Sequence, residues 1–183
     1  MPDPVPPYTQ VSDQFRTRTV TKFKASMLCT PAVKGGVPPR FVDNGDGTVT
    51  DNQTGLQWEK KVAGTGCLHC VNDIKLWAAA MGDWISEVNG YSSDGTAQTG
   101  LGGHSDWRLP TNAELQTILL APYPCGTSPC IDPVFAPTAA SDYWSSTTDL
   151  NPDDAWEVFF ANGYLDVEGK YNIFHVRAVR GGS

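Results

Sequence analysis

The chain has 183 residues, of which 40% are hydrophobic, together with 18 glycines, 14 prolines and a formal net charge of −7. This length fits one domain with its own core, and the glycines and prolines favour a loop-rich fold over a helical bundle. The negative charge disfavours a nucleic-acid partner, because phosphates are met by lysine and arginine. No apolar run approaches the roughly 20 residues of a membrane-spanning helix.

Residues 1–36 are rich in proline and then polar. We predict that they form a tail or the end of a preceding module, with one strand at 20–28, and that the compact domain covers residues 37–183. Met1 is followed directly by a proline-rich run and not by the apolar core of a signal peptide. This start fits either a cytosolic protein or a chain that begins after a removed signal.

Residues 41–58 predict an antiparallel meander. Turns at 44–47 and 52–55 contain Asn and Gly, which tolerate positive φ, and they separate three short strands. The run from Asp43 to Thr48 also resembles part of a calcium loop. However, position twelve of that loop would be Thr54, where the calcium pattern requires a glutamate. We therefore interpret the run as a hairpin turn.

Two helices are predicted next. From Ile74 to Val88 apolar residues recur at helical spacing, with Asn72 or Asp73 as the cap and residues 89–90 as the end. Residues 111–114 have the form of a capping box and start the second helix. Residues 107–110 come just before this helix. Their tryptophan and leucine are predicted to lie in the core. Their arginine is predicted to make a buried contact with the capping glutamate or with a carbonyl.

The last part of the chain predicts strands at 143–148, 155–161, 164–167 and 171–180, with turns at 162–163 and 168–169. In the second of these, Trp156, Val158 and Phe160 are predicted to face one side, and Glu157 and Phe159 the other. Two helices followed by antiparallel strands indicate an α+β fold.

Four ordered motifs, at 43–58, 107–114, 143–147 and 175–181, resemble the C-terminal domain family of the Legionella collagen-like adhesin. The resemblance covers residues 40–181. It implies a C-type-lectin-like fold, related to formylglycine-generating enzymes and to the variable proteins of diversity-generating retroelements. It also implies a module of a secreted or surface-exposed bacterial protein. The adhesin of this family is a trimer that binds sulfated glycosaminoglycans.

Four of the five cysteines form two close pairs, Cys67 with Cys70 and Cys125 with Cys130, and Cys29 is the odd one. We expect structural disulfides, in either local or crossed pairing, and therefore an oxidising compartment. The alternative is a zinc site of four thiolates, in which His69 can replace one. Neither calcium nor zinc is our leading expectation; we expect no cofactor.

Catalytic chemistry is not indicated. The histidines, His69, His104 and His175, show no metal-binding or triad spacing, and no general base is placed beside a nucleophile. The expectation is therefore a protein that is not an enzyme.

The candidate binding surface is the C-terminal sheet with its loops, because tyrosine and asparagine there suit recognition. The predicted ligand-binding residues are Asn151, Asp153, Trp156, Asn162, Tyr164, Asp166, Tyr171, Asn172 and His175.

We expect a ligand-recognition module of a secreted, periplasmic or cell-surface protein that binds a glycan or a protein. Three alternatives stay open: a retroelement-diversified variable protein, a formylglycine-generating-type oxidase that uses one cysteine pair, and a structural or trimerisation module. A homo-oligomer is compatible with each.

Overall fold

The computed structural model describes residues 38–92, 98–120 and 123–181. The predicted tail, its strand at 20–28 and Cys29 lie outside these residues.

Nine strands and three short α-helices form the described part of the chain. The strands are β1 (Phe41–Asp43), β2 (Thr48–Asp51), β3 (Leu56–Glu59), β4 (Ile74–Leu76), β5 (Asp142–Thr148), β6 (Asp154–Phe159), β7 (Tyr164–Gly169), β8 (Ile173–His175) and β9 (Val179–Gly181). The helices are α1 (Trp77–Ala79), α2 (Ile85–Val88) and α3 (Asn112–Thr117), with a π-helical turn, Ala80–Trp84, joining α1 to α2. Single 3₁₀ turns occur at Leu101–Gly103 and Pro133–Phe135.

The strands form two sheets. The smaller has the order β1-β2-β3-β9, and the larger has the order β4-β8-β5-β6-β7. Neighbouring strands are antiparallel except for the single parallel contact of β5 with β8. This arrangement confirms the predicted α+β class.

The predicted meander is confirmed as β1, β2 and β3. Its turns require glycine, since Gly45, Gly47 and Gly55 have φ values of 77°, 87° and 73°, in the region that other residues rarely adopt. The carboxylate of Asp43 accepts from the amide of Gly45 at 3.0 Å, and Asp46 accepts from the amide of Thr48 at 3.1 Å. The acidic side chains of this loop thus bind its own backbone, as expected for a hairpin turn.

The first helix starts later than the sequence indicates. Residues 74–76 form strand β4, paired with β8, and the helix begins at Trp77 with no side-chain cap. The predicted caps Asn72 and Asp73 are therefore wrong, because pairing with β8 overrides the helical periodicity at the first turn. The predicted end is confirmed, since Asn89 is the C-cap and Gly90 has φ 88°.

The capping box of the second helix is confirmed. The Thr111 hydroxyl accepts from the amide of Glu114 at 3.2 Å, and the Glu114 carboxylate accepts from the amide of Thr111 at 2.8 Å. Glu114 also accepts two bonds from Arg108, at 2.7 and 2.5 Å. The Arg108 side chain is 44% exposed, so the predicted contact forms at the surface and not in the interior.

The predicted strand at 171–180 is wrong as a single element, because it divides between the two sheets. Residues 173–175 pair in the larger sheet as β8, and residues 179–181 pair with β3 in the smaller sheet as β9. Between them Arg177 is fully buried and donates to the carbonyl of Glu59 at 2.6 Å, while the amide of Ala178 donates to the Glu59 carboxylate at 2.9 Å. These buried bonds fix the crossing.

Tryptophans hold the core together. Trp58, Trp107 and Trp144 are buried, as is Leu109, whereas Trp77 is only half-buried. The indole N–H of Trp144 donates to the carbonyl of Lys75 at 3.0 Å, and that of Trp77 donates to the carbonyl of Ser145 at 2.8 Å. Each bond joins the β4–α1 segment to β5, so the larger sheet is rigidly supported.

Candidate functional site

An open cleft lies on one face of the larger sheet. Its volume is about 480 Å³. The residues that line it are Asp142, Glu157, Phe159, Tyr164, Asp166, Glu168, Asn172 and Phe174. Four of these are carboxylic acids, and neither lysine nor arginine is among them.

Strand register brings the acids together. Residues directly opposite each other in an antiparallel pair share one face of the sheet, and Glu157 on β6 lies opposite Asp166 on β7. Asp142 on β5 pairs with Phe159, and Glu168 pairs with Ala155. Because Phe159 and Ala155 are two residues from Glu157, Asp142 and Glu168 are its diagonal neighbours on the same face.

Glu157 is the unusual member of the cleft. Glu157 is only 3% exposed, and its Oε2 atom is buried without a hydrogen-bond partner among the described residues. The alternating sequence pattern predicted a half-buried strand in which Glu157 points away from the core. The structure shows instead that both faces of β6 are covered at this point, since Val158 is also fully buried.

Burial and the surrounding charges change the ionisation of the cleft. Burial raises the pKa of Glu157 to about 8, and the charges of Asp142, Asp166 and Glu168 add to this effect. Burial likewise raises the pKa of Asp142. At neutral pH the Glu157 carboxyl is therefore mainly protonated, which limits the repulsion among the four acids.

Aromatic rings form the walls of the cleft. Phe174 packs on the buried ring of Trp144, with centroids 4.5 Å apart, and Tyr164 lies against Tyr123 at 5.1 Å. Asn172 donates to the carboxylate of Glu168 at 2.9 Å. The walls are thus carried by paired strands or by packed rings, and the cleft is preformed.

The cationic side chains of the described chain are engaged elsewhere. Six of them form ion pairs: Arg40 with Asp51, Lys60 with Asp43, Lys61 with Glu59, Lys75 with Asp73, Arg108 with Glu114, and Arg180 with Asp106. Arg177 is fully buried, and Lys170 lies over the ring of Trp77 at 4.3 Å while donating to the carbonyl of Pro152. The charge of the cleft is therefore not balanced by these groups.

Three of the nine predicted ligand-binding residues, Tyr164, Asp166 and Asn172, line the cleft. The others lie outside it. In the β5–β6 loop, Asn151 donates to Asp154 at 2.6 Å and accepts from the amide of Asp153 at 3.3 Å.

Asn162 accepts from the amide of Tyr164 in the β6–β7 turn at 3.0 Å, and Tyr171 is 81% exposed in the turn before β8. Trp156 neighbours Glu157 on β6, and therefore points to the opposite face. His175 stacks on Tyr143, with ring centroids 5.2 Å apart. The structure thus divides the predicted set among one loop, two turns and both faces of the sheet.

Both predicted cysteine pairs form disulfides, Cys67 with Cys70 and Cys125 with Cys130. The structure therefore has the local connectivity, one of the pairings that the sequence left open. Over the described ranges no group of three or more His, Cys, Asp or Glu side chains is arranged to hold a metal ion. None of the described helices is long and apolar enough to span a bilayer.

Two of the histidines have different immediate partners. His69 lies 2.8 Å from the carboxylate of the buried Glu59, and burial lowers the pKa of His175 on β8. Burial opposes ionisation of Glu59, but the charge of Lys61 and the bonds from His69 and Lys61 outweigh it and lower the pKa of Glu59 to about 2. This network stabilises the crossing of the chain between the two sheets.

Sequence reasoning missed Asp142, Glu157, Phe159, Glu168 and Phe174 as cleft residues. One signal was present. A turn at 162–163 with a two-residue loop places Glu157 opposite Glu168, and the observed four-residue loop places it opposite Asp166. In either register, two acidic side chains face each other.

A search of curated proteins finds no match to this chain. The family model described as the Lcl C-terminal domain matches residues 47–180. This range contains most of the first motif, the two central motifs and nearly all of the terminal one, and it confirms the resemblance inferred from them. The chain therefore belongs to the Lcl C-terminal domain family.

Proposed function

We propose that this domain is a non-enzymatic recognition module that binds a protein or glycan ligand through the cleft on its larger sheet. The observation that carries the proposal is the cleft itself: a preformed concavity on paired strands, in which aromatic rings surround a buried polar group that has no partner among the described residues. Ligand sites in proteins combine these features. The C-type-lectin-like fold implied by the resemblance would suit such a role.

A non-enzymatic role is supported by the placement of the reactive side chains. The four cysteines of the described chain are joined in disulfides, so an oxidase of the formylglycine-generating type would have to use one of these bridges as its redox couple. Oxygen uptake that depends on a cysteine-containing peptide would favour that alternative and would contradict our proposal.

We further propose that the protein works outside the cytoplasm, as a secreted, periplasmic or cell-surface protein. The two disulfides support this location, because such bonds persist in oxidising compartments and are rare in the cytosol.

The proposal is tested with the full chain on a glycan array and an array of extracellular proteins, followed by two matched variants. Tyr164→Ala removes a ring from the cleft wall, whereas Tyr171→Ala removes an exposed ring outside the cleft. We expect Tyr164→Ala to weaken binding of the captured ligand at least tenfold and Tyr171→Ala to change it less than twofold. The reverse pattern would move the site to the turn before β8, and two blank arrays would count against a recognition role.

A further inference from the structure

We propose that the cleft binds an arginine or lysine side chain of a protein partner, presented by an extended segment that lies along β7. This inference rests on the proposed function. The chemistry of the site would then be a cationic head group held by carboxylates and covered by aromatic rings. Four separate features of the described residues support this assignment.

The first feature is uncompensated negative charge. Glu157 and Asp166 lie directly opposite each other on β6 and β7, an arrangement that destabilises a sheet when both carry the same charge. Asp142 and Glu168 add two more carboxyl groups to the same face. At neutral pH Glu157 avoids this repulsion by staying mainly protonated, and a bound cation would stabilise its carboxylate instead.

The second feature is the buried oxygen of Glu157. A buried polar atom without a partner is rare in folded proteins, because burial removes its bonds to water. Charged residues on an edge strand often prevent edge-to-edge aggregation. That role alone would account for Asp166 and Glu168 on β7. It does not account for Glu157, which lies on the inner strand β6 and needs a donor that the described chain does not provide.

The third feature is the aromatic lining. Phe159, Tyr164 and Phe174 surround the carboxyl groups, and the faces of such rings attract ammonium and guanidinium groups. Guanidinium also matches a carboxylate with two parallel hydrogen bonds. Sulfated or phosphorylated ligands are disfavoured on this face, since their charge has the same sign as the cleft.

The fourth feature is the edge strand, and it favours a protein over a free amine. Among the described strands, β7 pairs only with β6, so its outer edge offers main-chain groups to a further strand. A residue placed opposite Asp166 on such a strand would share its face of the sheet, and the residue two positions along would lie opposite Glu168. Basic residues at alternate positions would therefore both reach the acidic face.

Proton release would accompany binding. Burial and the charges of Asp142, Asp166 and Glu168 raise the pKa of Glu157 to about 8. Trp144 and Phe174 on this face carry no charge, and Lys75, opposite Phe174 on β4, is paired with Asp73. His175 lies opposite Tyr143, on the other face of the sheet, and burial lowers its pKa. A bound cation favours the carboxylate of Glu157, so affinity would rise between pH 6 and pH 8 by up to about tenfold per pH unit.

The test uses the full chain and two end-blocked pentapeptides, Thr-Arg-Val-Arg-Thr and its uncharged counterpart Thr-Gln-Val-Gln-Thr. Calorimetry at pH 7 in two buffers of different ionisation enthalpy measures both affinity and protons released. We expect the arginine peptide to bind at least tenfold more tightly than the glutamine peptide, with release of close to one proton per site.

Three variants test whether peptide binding and proton release occur in the cleft. Glu157→Gln keeps the shape of the side chain and should abolish proton release and weaken binding at pH 8 at least tenfold. Asp166→Asn, on the edge strand, should weaken binding without abolishing proton release, and it keeps the test valid if Glu157→Gln fails to fold. Asp83→Asn removes one exposed charge outside the cleft and should change affinity less than twofold.

Equal binding of the two peptides, or binding that both cleft variants leave unchanged, would overturn the cationic assignment. The proposed function would still stand if the arrays yield a ligand whose binding depends on Tyr164. Absence of binding by both peptides together with two blank arrays would overturn both proposals.

Discussion

Replacing Glu157 by glutamine should stabilise the protein, and the gain should grow with pH. Glutamine imitates the protonated glutamic acid in size and charge but does not titrate. In the folded protein the pKa of Glu157 is about 8, against 4.5 as its ordinary value. Between these two values the folded state binds more protons than the unfolded state, so the stability of the wild-type protein falls as pH rises.

The magnitude follows from the size of that shift. Each pH unit inside the window changes the free energy of unfolding by up to 1.36 kcal/mol per proton. From pH 5 to pH 7.5, therefore, the wild-type protein should lose roughly 3 kcal/mol relative to Glu157→Gln.

Urea unfolding followed by tryptophan fluorescence, with the disulfides intact, measures this difference at a series of pH values. Urea is chosen because it leaves the ionic strength unchanged. Glu87→Gln serves as the control, since Glu87 is an exposed glutamate on α2, and its curve should run parallel to that of the wild type. If the curve of Glu157→Gln also runs parallel to the wild type, then Glu157 is not held protonated and the electrostatic account of the cleft is wrong.

Three further predictions concern the rest of the fold. Glu59→Gln should destabilise the protein by about 3–5 kcal/mol, measured by urea unfolding at pH 7, because it leaves the buried charge of Lys61 without its carboxylate. The stability that Glu59 contributes should be present above pH 4.5 and be lost as pH falls towards 2, the pKa in the folded protein. Thr111→Ala should cost about 1 kcal/mol through loss of the cap on α3, whereas Thr111→Ser should be nearly neutral. Alkylation of the denatured, unreduced chain should label Cys29 alone, and labelling of any other cysteine would contradict the two disulfides.

Local signals predicted much of the smaller sheet and its surroundings. The meander was predictable because its turns need residues that adopt positive φ, and only a few residue types do so easily. The cap at Thr111 was predictable because its hydrogen bonds join residues three apart in sequence. The cysteine pairs are also local, since the partners are three and five positions apart in sequence.

Non-local pairing overrode the local pattern elsewhere. The stretch at 74–76 has helical periodicity but is drawn into strand β4 by pairing with β8, about 100 residues away in sequence. The final stretch reads as one strand, yet Glu59 binds Ala178 and divides it between the sheets. The candidate site depended on similar information, since Asp142 is brought to Glu157 only by the register of β5 on β6.

The sequence by itself determined the family, the α+β class and most of the turns, because each is encoded in residues that are close together along the chain. Only the tertiary structure decided which side chains meet on the larger sheet. Alternation along a strand assigns a residue to one of two faces, but it does not say whether that face is covered. The burial of the Glu157 carboxyl depends on the register of β5 and β7 on β6, which alternation along one strand does not encode, and the chemistry of the cleft depends on that burial.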